Sequence, residues 1–449
     1  MHMAAPAQEI DREIIDEGLR EGLARLTPER IERVMERVLK GEAGARLKAY
    51  VETCIHCGLC SEACHYYLSH DKDPKYSPVG KVKQTIWEIL KRKGKVDAAF
   101  LHRATEIAAT ECNLCKRCAM YCPFGIDIAY IMLVMRRISH LLGLTPLYIQ
   151  DTAHSHSVQM NQMWVKDDEW IDTLQWQEEE AQAEIPTLRI PLEKEGADIL
   201  YSVIGPEPKF QAQLIYQAAV IMDQAGVNWT MPATPGWDNS DMAMYTGDNE
   251  LMGRLKKSHF DTAVRLRAKK IVMGECGHAF RSVYDMGNRW LGWSMPPIPV
   301  VHAIAFYYDL FKEGRLKIKE KFKTPVTLHD PCNVSRGGGL HDKARYVVNQ
   351  ICETFIEMEP NREHNYCCAA GGGVINCGPP YKGQRMSGNR IKAEQLFAAK
   401  SRGAKVLIAP CHNCHSGLED IIHHYGLGLE IKFLGDIIYE VIEKPDAEA

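Results

Sequence analysis

Two runs of four cysteines near the N-terminus have a spacing that favours iron chemistry. The runs are Cys54, Cys57, Cys60, Cys64 and Cys112, Cys115, Cys118, Cys122, and Pro123 follows the second. Three evenly spaced thiolates can close on one face of a four-iron cluster, while the fourth reaches a neighbouring cluster. The sequence therefore predicts two cubane 4Fe-4S clusters, with the ligand sets Cys54, Cys57, Cys60, Cys122 and Cys112, Cys115, Cys118, Cys64. Two structural zinc sites or four disulfides would not explain why the pattern occurs twice.

Five more cysteines stand in the C-terminal part of the chain. They are Cys332 in His-Asp-Pro-Cys-Asn, the adjacent Cys367 and Cys368 before Ala-Ala-Gly-Gly-Gly, and Cys411 and Cys414 in Cys-His-Asn-Cys. A cubane needs four ligands, and adjacent side chains on an extended backbone point to opposite faces, so this set does not suit a regular cubane. Glycines 371 to 373 would let backbone N–H groups approach cluster sulfurs. A zinc site with a spare thiol is the alternative.

Composition limits the classes of function. With 449 residues and 45% hydrophobic content, the chain is long enough for about two to four domains. The net charge of −4 gives no excess of positive potential, so we expect no nucleic acid partner. Met1 to Gln8 is followed by charged residues, so we expect no signal peptide, and the sixteen cysteines indicate metal rather than disulfides.

Neither a membrane span nor a nucleotide site is expected on this chain. The most apolar stretch, Ile126 to Leu144, is interrupted by charged residues and a histidine, which makes it too polar to cross a bilayer as one helix. The sequence has no G-x-G-x-x-G fingerprint after a strand and no P-loop, so we expect no NAD, FAD or ATP. Any membrane role must therefore involve a partner subunit.

The cysteine runs lie between segments that are predicted to be helical. Residues 9 to 40 have helical apolar spacing, which includes Ile10 and Ile14, and Thr27 before Pro28 is the expected N-cap, so two helices should precede the first run. Between the runs, one helix should begin at Ser77-Pro78 and end near Gly94, and a second should cover 97 to 110. A closing helix is expected over 127 to 142. These elements favour a helical ferredoxin domain.

Residues 150 to 196 form the least regular stretch and are predicted to be a connector over the surface. His154 and His156 have no third ligand nearby, so we interpret them as polar loop residues. Trp164, Trp170 and Trp176 are more typical of packing anchors than of a cofactor site.

From Ala197 onward, short β-rich runs alternate with amphipathic ones, which favours an α/β region. The predicted strands are 198 to 203, 270 to 273, 326 to 329, 354 to 358 and 406 to 409. The segment from Lys270 to Ala279 aligns with that from Lys405 to Cys414, with lysine six residues before cysteine in both. This repeat predicts two similar lobes that face one another.

The spacing of the five C-terminal cysteines resembles the cysteine-rich CCG domain of heterodisulfide reductase catalytic subunits. With the two ferredoxin runs, the resemblance covers roughly residues 50 to 440. The chain resembles iron–sulfur proteins like the D-subunit of heterodisulfide reductase. The resemblance is strongest to the DsrK, HmcF and TmcB subunits of membrane-bound redox complexes in sulfate-reducing and sulfur-oxidising microbes. This chain departs from the pattern at Ala369, where the motif has glycine, and at His65, where a proline commonly follows the fourth cysteine.

The resemblance implies a noncubane 4Fe-4S cluster that acts on disulfide or thiol substrates. The implied ligands are Cys332, Cys367, Cys368, Cys411 and Cys414. It also implies a membrane haem b subunit linked to the quinone pool, further subunits of a transmembrane complex, and a small protein substrate of the DsrC type with paired cysteines. The chain would then be a cytoplasmic oxidoreductase subunit, peripheral on the inner face of the cytoplasmic membrane, in dissimilatory sulfur metabolism.

These arguments predict an α+β multidomain chain, a helical ferredoxin domain followed by an α/β, two-lobed CCG domain. The expected segments are N-terminal helices over 1 to 48, a ferredoxin-type domain with two 4Fe-4S clusters over 49 to 149, and the connector over 150 to 196. A degenerate first lobe over 197 to 320 and a second, cluster-binding lobe over 321 to 449 complete the chain.

Three cysteines and one histidine lie outside these ligand sets. Cys276, followed by His278, is either a relic packed in the core of the first lobe or a residue that lines the catalytic site, and we count Cys276 among the candidate catalytic residues. No complete cluster is expected in that lobe, since Ala279 stands where Cys414 stands in the second. Cys352 and Cys377 have no partner spacing and are interpreted as structural.

Two other functions remain as alternatives. The chain resembles in outline the electron-relaying iron–sulfur subunits of glycerol-3-phosphate dehydrogenase and glycolate oxidase, which serve a flavin partner and have no substrate site of their own. A redox-sensing regulator is the third possibility, although no DNA-binding feature is present in the sequence.

Overall fold

The computed structural model describes residues 16 to 233, 236 to 286, 292 and 296 to 444. A helical N-terminal region is followed by two α/β lobes with parallel sheets, which confirms the predicted fold class. The N-terminal helices are Glu17–Ala24, Pro28–Glu36, Arg37–Glu42, Gly44–Thr53, His65–Ser69, Pro78–Val82, Lys83–Trp87, Glu88–Lys91, Ala98–Thr110, Arg117–Met120 and Ile128–Leu142. Ile10 and Ile14 lie outside the described residues, and a third helix, Gly44–Thr53, precedes the first cysteine run where two helices were expected.

The helices of the N-terminal region begin where short polar side chains cap them. Thr27 Oγ1 accepts a hydrogen bond from the Arg30 backbone N–H at 3.2 Å, directly before Pro28. Ser77, Asp97 and Asp127 cap the helices Pro78–Val82, Ala98–Thr110 and Ile128–Leu142 in the same way. These caps satisfy backbone donors that a helix leaves unpaired at its start, so the predicted beginnings of these helices were right.

The stretch predicted as an irregular connector is largely helical, so that prediction was wrong. It contains the helices Leu147–Gln159 and Asp167–Gln182, and His154 and His156 lie within the first of them. Trp170 is a packing anchor, since it is fully buried and stacks on Trp237 with ring centroids 4.4 Å apart. Trp176 is 53% exposed, because a spacing of six residues places it on a different face of the same helix.

The C-terminal part contains two parallel sheets, one in each lobe. The first consists of β1 (Ile199–Ser202), β2 (Trp229–Thr230), β3 (Lys270–Met273) and β4 (Val300–His302), in the order β2-β1-β3-β4. The second consists of β5 (Val326–Leu328), β6 (Val406–Ile408) and β7 (Glu430–Lys432), in the order β5-β6-β7. The helices of this part are Glu207–Phe210, Gln213–Gln224, Ala243–Thr246, Asn249–Arg265, Gly277–Phe280, Arg281–Met286, Ala303–Lys312, His341–Ile351, Lys382–Ser387, Arg390–Ser401, His412–His424 and Leu434–Val441.

Four of the five predicted strands occur in the sheets, and the fifth does not. Within 354 to 358 only Phe355 pairs, through an isolated bridge to Val326. The strands β2, β4 and β7, which have two or three residues each, were not predicted.

The predicted internal repeat corresponds to matching positions in the two lobes. Cys276 follows β3 and begins the helix Gly277–Phe280, and Cys411 follows β6 and begins the helix His412–His424. The lobes meet at these positions, where the Glu275 carboxylate accepts hydrogen bonds from the backbone N–H groups of Leu434 and Gly435 at 3.0 and 2.6 Å. Equivalent strand–cysteine–helix units of the two lobes therefore face one another.

The first lobe contains a buried ion pair near the end of β1. The Lys256 ammonium lies 3.6 Å from the Asp241 carboxylate, and both side chains are fully buried. Ser282 donates a hydrogen bond to the same carboxylate at 3.1 Å, and Asn239 donates to the Ser202 carbonyl oxygen at 2.9 Å. A polar network therefore fills this part of the first lobe.

Among the described residues, no one helix has both the length and the apolar composition to cross a bilayer. The helices Ile128–Leu142 and Leu147–Gln159 meet that test only when they are taken together, and they are bent by 77° at the break between them.

We expect Arg345→Met to destabilise the second lobe strongly. Arg345 is buried and makes paired hydrogen bonds of 2.6 to 2.8 Å to the carboxylates of Asp330 and Glu357, which fix the segment before Cys332. Removal of one partner from a buried ion pair costs about 3–5 kcal/mol, because the other charge stays buried. Thermal unfolding followed by circular dichroism should show a fall of the midpoint by several degrees.

The control is Arg92→Met, which removes an exposed ion pair to Glu88 on one helix. Such pairs contribute about 1 kcal/mol or less, so its melting temperature should stay close to that of the unsubstituted protein. Equal melting temperatures for the two variants would contradict the structural role of Arg345.

Candidate functional site

The first predicted ligand set comes together around one apolar pocket. Cys54, Cys57, Cys60 and Cys122 all line this pocket, and most of its other lining residues are apolar. Burial raises the pKa of Cys60 to about 11, whereas Cys57 is exposed at the rim. The fourth thiol comes from the other run, as the predicted exchange of ligands between the runs requires. Four thiols around a small apolar space fit a four-iron cluster.

The second predicted set, Cys112, Cys115, Cys118 and Cys64, lies around a buried lysine. Lys81 is 2% exposed, its Nζ lies 3.7 Å from Cys64 Sγ, and it donates a hydrogen bond to the Glu111 carbonyl oxygen. Burial would lower the pKa of Lys81, but Cys64 and Cys112 raise it above its usual value. Burial together with Cys115 and Cys112 raises the pKa of Cys118 well above its usual value. The thiols of this set thus surround a fixed positive charge.

The second run is fastened to the glycine-rich loop of the second lobe by Asn113. The Asn113 Nδ2 group donates to the carbonyl oxygens of Ala369 and Gly371 at 3.2 and 2.9 Å. His65 Nε2 lies 2.8 Å from Asn113 Oδ1, so the residue that replaces the usual proline orients this asparagine. Gly372 has a φ of +65°, and a Cβ there would lie 2.7 Å from the Asn113 carbonyl group. Only glycine permits this approach.

The five C-terminal cysteines converge between the two lobes. Cys368 contacts both Cys367 and Cys414, and Cys414 also contacts Cys411. The nearest ligand atoms of Cys368, Cys414 and His329 lie within 4.8 Å of one another. Cys332 follows β5 and is the one member of the set that is partly exposed. The structure therefore brings together the residues that the sequence singled out, and Cys332 is the member that is partly accessible to solvent.

Contacts between thiols lower the pKa of Cys368 and Cys411 in this set and of Cys115 beside it, and raise the pKa of their partner Cys367, while burial and such contacts together raise the pKa of Cys414. The contact with Cys367 lowers the pKa of both Cys115 and Cys368 well below the usual value, and the contact with Cys276 does the same for Cys411. Metal ligation requires deprotonated cysteines, and sulfur ligands suit iron–sulfur clusters, so the donor set fits such a group. The contact of Cys115 with Cys367 also joins the second run to the five-cysteine set.

Cys276 and His278 of the first lobe lie at the edge of this set. Cys276 is buried against Cys411, and the Gly277 N–H donates to Cys411 Sγ at 3.3 Å. His278 Nε2 accepts a hydrogen bond from the Gly372 N–H at 3.2 Å, and burial lowers the pKa of His278 to about 4. Of the two possibilities left open by the sequence, this position favours a residue that lines the site.

Ala369, which stands where the related motif has glycine, has a φ of +71°. A side chain at this conformation is strained by about 1–2 kcal/mol, so the backbone geometry of the loop is retained despite the substitution. The departure from the motif therefore removes none of the candidate ligands.

Several buried cations around the thiols were not found from the sequence. Arg136 donates to the carbonyl oxygens of Ala108, Cys112, Tyr245 and Gly372 and so connects three segments. Burial lowers the pKa of Lys392, which lies near Cys368 and Cys414, to about 8. One signal in the sequence could have indicated them. Arg136 lies inside an apolar helical stretch, and a charged side chain that is buried there needs specific hydrogen-bond partners.

The two remaining cysteines lie apart from these sets. Cys352 is buried at the end of the helix His341–Ile351, and Cys377 is buried with its Sγ 3.8 Å from the Ala109 carbonyl oxygen. Burial raises the pKa of each to about 12, which is typical of an unreactive thiol.

Two protein families match these regions. A family described as "4Fe-4S dicluster domain" matches residues 50 to 126, and one described as "Cysteine-rich domain" matches residues 326 to 419. The chain is therefore an iron–sulfur protein with a dicluster domain and a CCG domain, as the sequence predicted.

Several curated relatives that match most of the chain are named as oxidoreductases or as subunits of oxidoreductases. The chain is 25% identical to the Hdr-like menaquinol oxidoreductase iron-sulfur subunit 2 of Archaeoglobus fulgidus, over 87% of this chain and 79% of that protein. It is 27% identical to the D-subunit of the dihydromethanophenazine:CoB–CoM heterodisulfide reductase of Methanosarcina mazei, over 82% of this chain and 88% of that protein. It is 23% identical to an EtfAB:quinone oxidoreductase of Syntrophomonas wolfei, of which it covers 55%. The chain is an iron–sulfur oxidoreductase subunit related to these proteins.

We expect Gly372→Ala to loosen the contact between the second run and the second lobe. The added Cβ would meet the Asn113 carbonyl group in addition to the strain of a positive φ. The melting temperature and the iron content after purification should both fall.

Gly226→Ala is the matched control, because Gly226 also has a positive φ of +58° but has open space where a Cβ would be. It carries the backbone strain without the clash, so its melting temperature should fall less. An equal fall in both variants would show that the approach of Asn113 to Gly372 contributes nothing.

Proposed function

We propose that this chain passes electrons through two ferredoxin-type clusters to a third iron–sulfur centre, where a disulfide is reduced or a thiol pair oxidised. The proposed ligands are Cys54, Cys57, Cys60 and Cys122 for the first cluster, Cys112, Cys115, Cys118 and Cys64 for the second, and Cys332, Cys367, Cys368, Cys411 and Cys414 for the noncubane centre, with Cys276 at its edge. The contact between Cys115 and Cys367 carries this proposal, because it puts a ligand of the second cluster against a ligand of the catalytic centre.

The positions of the three cysteine sets support one path for electrons, from the first set through the second to the five-cysteine set. The first set lies at the surface, where Cys57, Ile55 and Phe124 are exposed and Ile55 is 65% accessible. The second set lies beneath it and contacts the five-cysteine set. A redox partner would therefore dock at the first set, since apolar residues around an exposed ligand form a suitable surface.

The partial exposure of Cys332 supports a substrate site at the five-cysteine centre. Reduction of a disulfide consumes two electrons and two protons and yields two thiols. The clusters, when bound, supply one-electron carriers and an iron centre with affinity for sulfur. The chain's own residues bury Cys368, Cys411 and Cys414 and so exclude water from them. Cys332 is the partly exposed member of the set.

We further propose that the chain acts as a peripheral subunit on the cytoplasmic face of a membrane complex. A haem b subunit would exchange electrons with the quinone pool, and a small DsrC-like protein would be the substrate, as in dissimilatory sulfur metabolism. The names of two relatives, one from a menaquinol oxidoreductase and one from a heterodisulfide reductase, support this assignment.

A pure electron relay for a flavin enzyme is the second candidate function. The similarity to an EtfAB:quinone oxidoreductase favours this relay function. That relative is named for a quinone rather than for a disulfide, and it also matches 82% of this chain. The two candidates differ in whether the five-cysteine centre turns over a disulfide.

We expect Cys368→Ser to remove the third centre alone. Three four-iron clusters correspond to about twelve irons per chain, and loss of one leaves about eight. Disulfide reduction with a reduced viologen dye should be lost, whereas the electron paramagnetic resonance signals of the two ferredoxin-type clusters should remain.

Cys352→Ser is the control, because Cys352 is a buried cysteine outside the ligand sets. It should retain both its iron and its turnover. Full disulfide reduction by Cys368→Ser would exclude the five-cysteine centre as the site of reaction, and no disulfide reduction by the unsubstituted, cluster-loaded protein would support the electron relay instead.

We expect Lys81→Met to lower the reduction potential of the second cluster. The Lys81 ammonium lies near Cys64, Cys112 and Cys118 and favours the more negative, reduced cluster, because opposite charges attract strongly at a buried site. Redox titration followed by paramagnetic resonance should show a lower potential for the second cluster and little change for the first. Lys83→Met removes an exposed charge of the same helical segment and should leave both potentials almost unchanged. Similar potentials in the two variants would contradict this role.

A further inference from the structure

Two buried side chains near the five-cysteine set have donors without acceptors. Arg281 is 6% exposed and donates from Nη1 to the Leu114 carbonyl oxygen at 3.0 Å. Its Nε and Nη2 groups have no hydrogen-bond partner within the described chain, and neither has the hydroxyl group of the buried Tyr245. A buried donor without an acceptor costs about 1–3 kcal/mol, and more when it is charged. The arrangement therefore indicates a ligand with acceptor atoms.

These donors belong to the same site as the thiols. The Tyr245 ring packs against His278 with centroids 4.6 Å apart, and His278 in turn accepts a hydrogen bond from Gly372. Burial raises the pKa of Tyr245; Arg281 opposes this shift, whereas Cys276 and Cys332 add to it. Tyr245 thus lies beside His278 at the edge of the five-cysteine set, and Arg281 is bonded to Leu114, which directly precedes Cys115 in the chain.

The charges around Arg281 favour an anion as the missing acceptor. In the described part of the chain, no carboxylate lies within ion-pair distance of Arg281, and the buried carboxylates of Glu111, Asp241 and Asp330 pair with other cations. Its charged neighbour is Arg136, another cation, whose donors are taken by backbone carbonyl groups. Two buried guanidinium groups repel one another, so the site favours a ligand with negative charge.

We propose that Arg281 and Tyr245 bind the thiolate that is released when a disulfide is reduced at this site, which makes Arg281 a catalytic residue. This inference rests on the proposed function. Two electrons from a one-electron donor would break the S–S bond and leave both sulfur atoms as thiolates, and the clusters, when held by the ferredoxin-type cysteines, would supply the one-electron carriers. One thiolate accepts hydrogen bonds from Arg281 and Tyr245, and each thiolate then takes a proton from water.

The test uses the full-length, cluster-loaded protein with reduced viologen and a series of uncharged symmetrical disulfides. Their thiols range from acidic aryl thiols to ordinary alkyl thiols. A charged hydrogen bond to the departing sulfur should increase the rate most for the alkyl disulfides, because alkyl thiolates are less stable than aryl thiolates. We expect Arg281→Met to lose about tenfold to a hundredfold in rate with the alkyl disulfides, and much less with the aryl disulfides. Arg281→Lys should recover part of the loss, and Tyr245→Phe should show the same graded pattern with a smaller amplitude.

Arg336→Met is the matched control for a loosened interface. Arg336 also joins the second run to the second lobe, since it donates to the carbonyl oxygens of Cys115, Glu363 and Asn365. Any loss in this variant should be the same for all disulfides. Because Arg281→Met also removes a buried positive charge, the reduction potential of the five-cysteine centre is measured in each variant, and a lower potential alone should slow all disulfides equally.

Three outcomes overturn the proposal in different ways. An equal loss for all disulfides in Arg281→Met would assign Arg281 a structural role. An equal loss together with a shifted potential would show that its donors serve the sulfides of the cluster rather than the substrate. If the unsubstituted protein reduces none of the disulfides, the proposed function itself fails and the assignment of Arg281 fails with it.

Discussion

The close approach of the second cysteine run to the glycine-rich loop is the contact on which the rest of the site depends. Asn113 bonds two carbonyl groups of the loop, and Gly372 has no side chain that would separate them. This packing puts Cys115 against Cys367 and so makes one path from two sets of thiols. A looser fit would leave two separate metal-binding domains, each complete but without electronic connection.

Charge balance is the second constraint on this arrangement. Many cysteine sulfurs are concentrated in a buried volume, where their thiolates would carry negative charge. Four buried cationic side chains lie in the same region and balance that charge: Lys81, Arg136, Arg281 and Lys392. Arg136 donates to backbone carbonyl groups rather than to a carboxylate, which leaves its positive charge available to the clusters. Buried charges are stable only when they are compensated, so the protein and its clusters should depend on one another for stability.

The sequence was most informative where one residue type fixes a local geometry. Cysteine spacing located all three sets of thiols, and Thr27, Asp97 and Asp127 marked helix starts, because a cap acts over a few residues. The helices between Leu147 and Gln182 were missed, since their apolar residues are spread around the helix. Asn113 and Arg281 could not be found, because their roles depend on contacts with residues more than a hundred positions away.

The ion pair of Lys256 and Asp241 in the first lobe has a consequence for how the two halves evolve. Both lobes present a cysteine at the same place after a strand, yet polar side chains fill part of the first lobe's interior. If the two lobes derive from one ancestral unit, the second lobe would have retained the cluster ligands. The first lobe would have become a rigidly packed surface that contacts the cluster site. Substitutions that preserve shape and charge should accumulate in the first copy, whereas the second is held by its sulfur atoms.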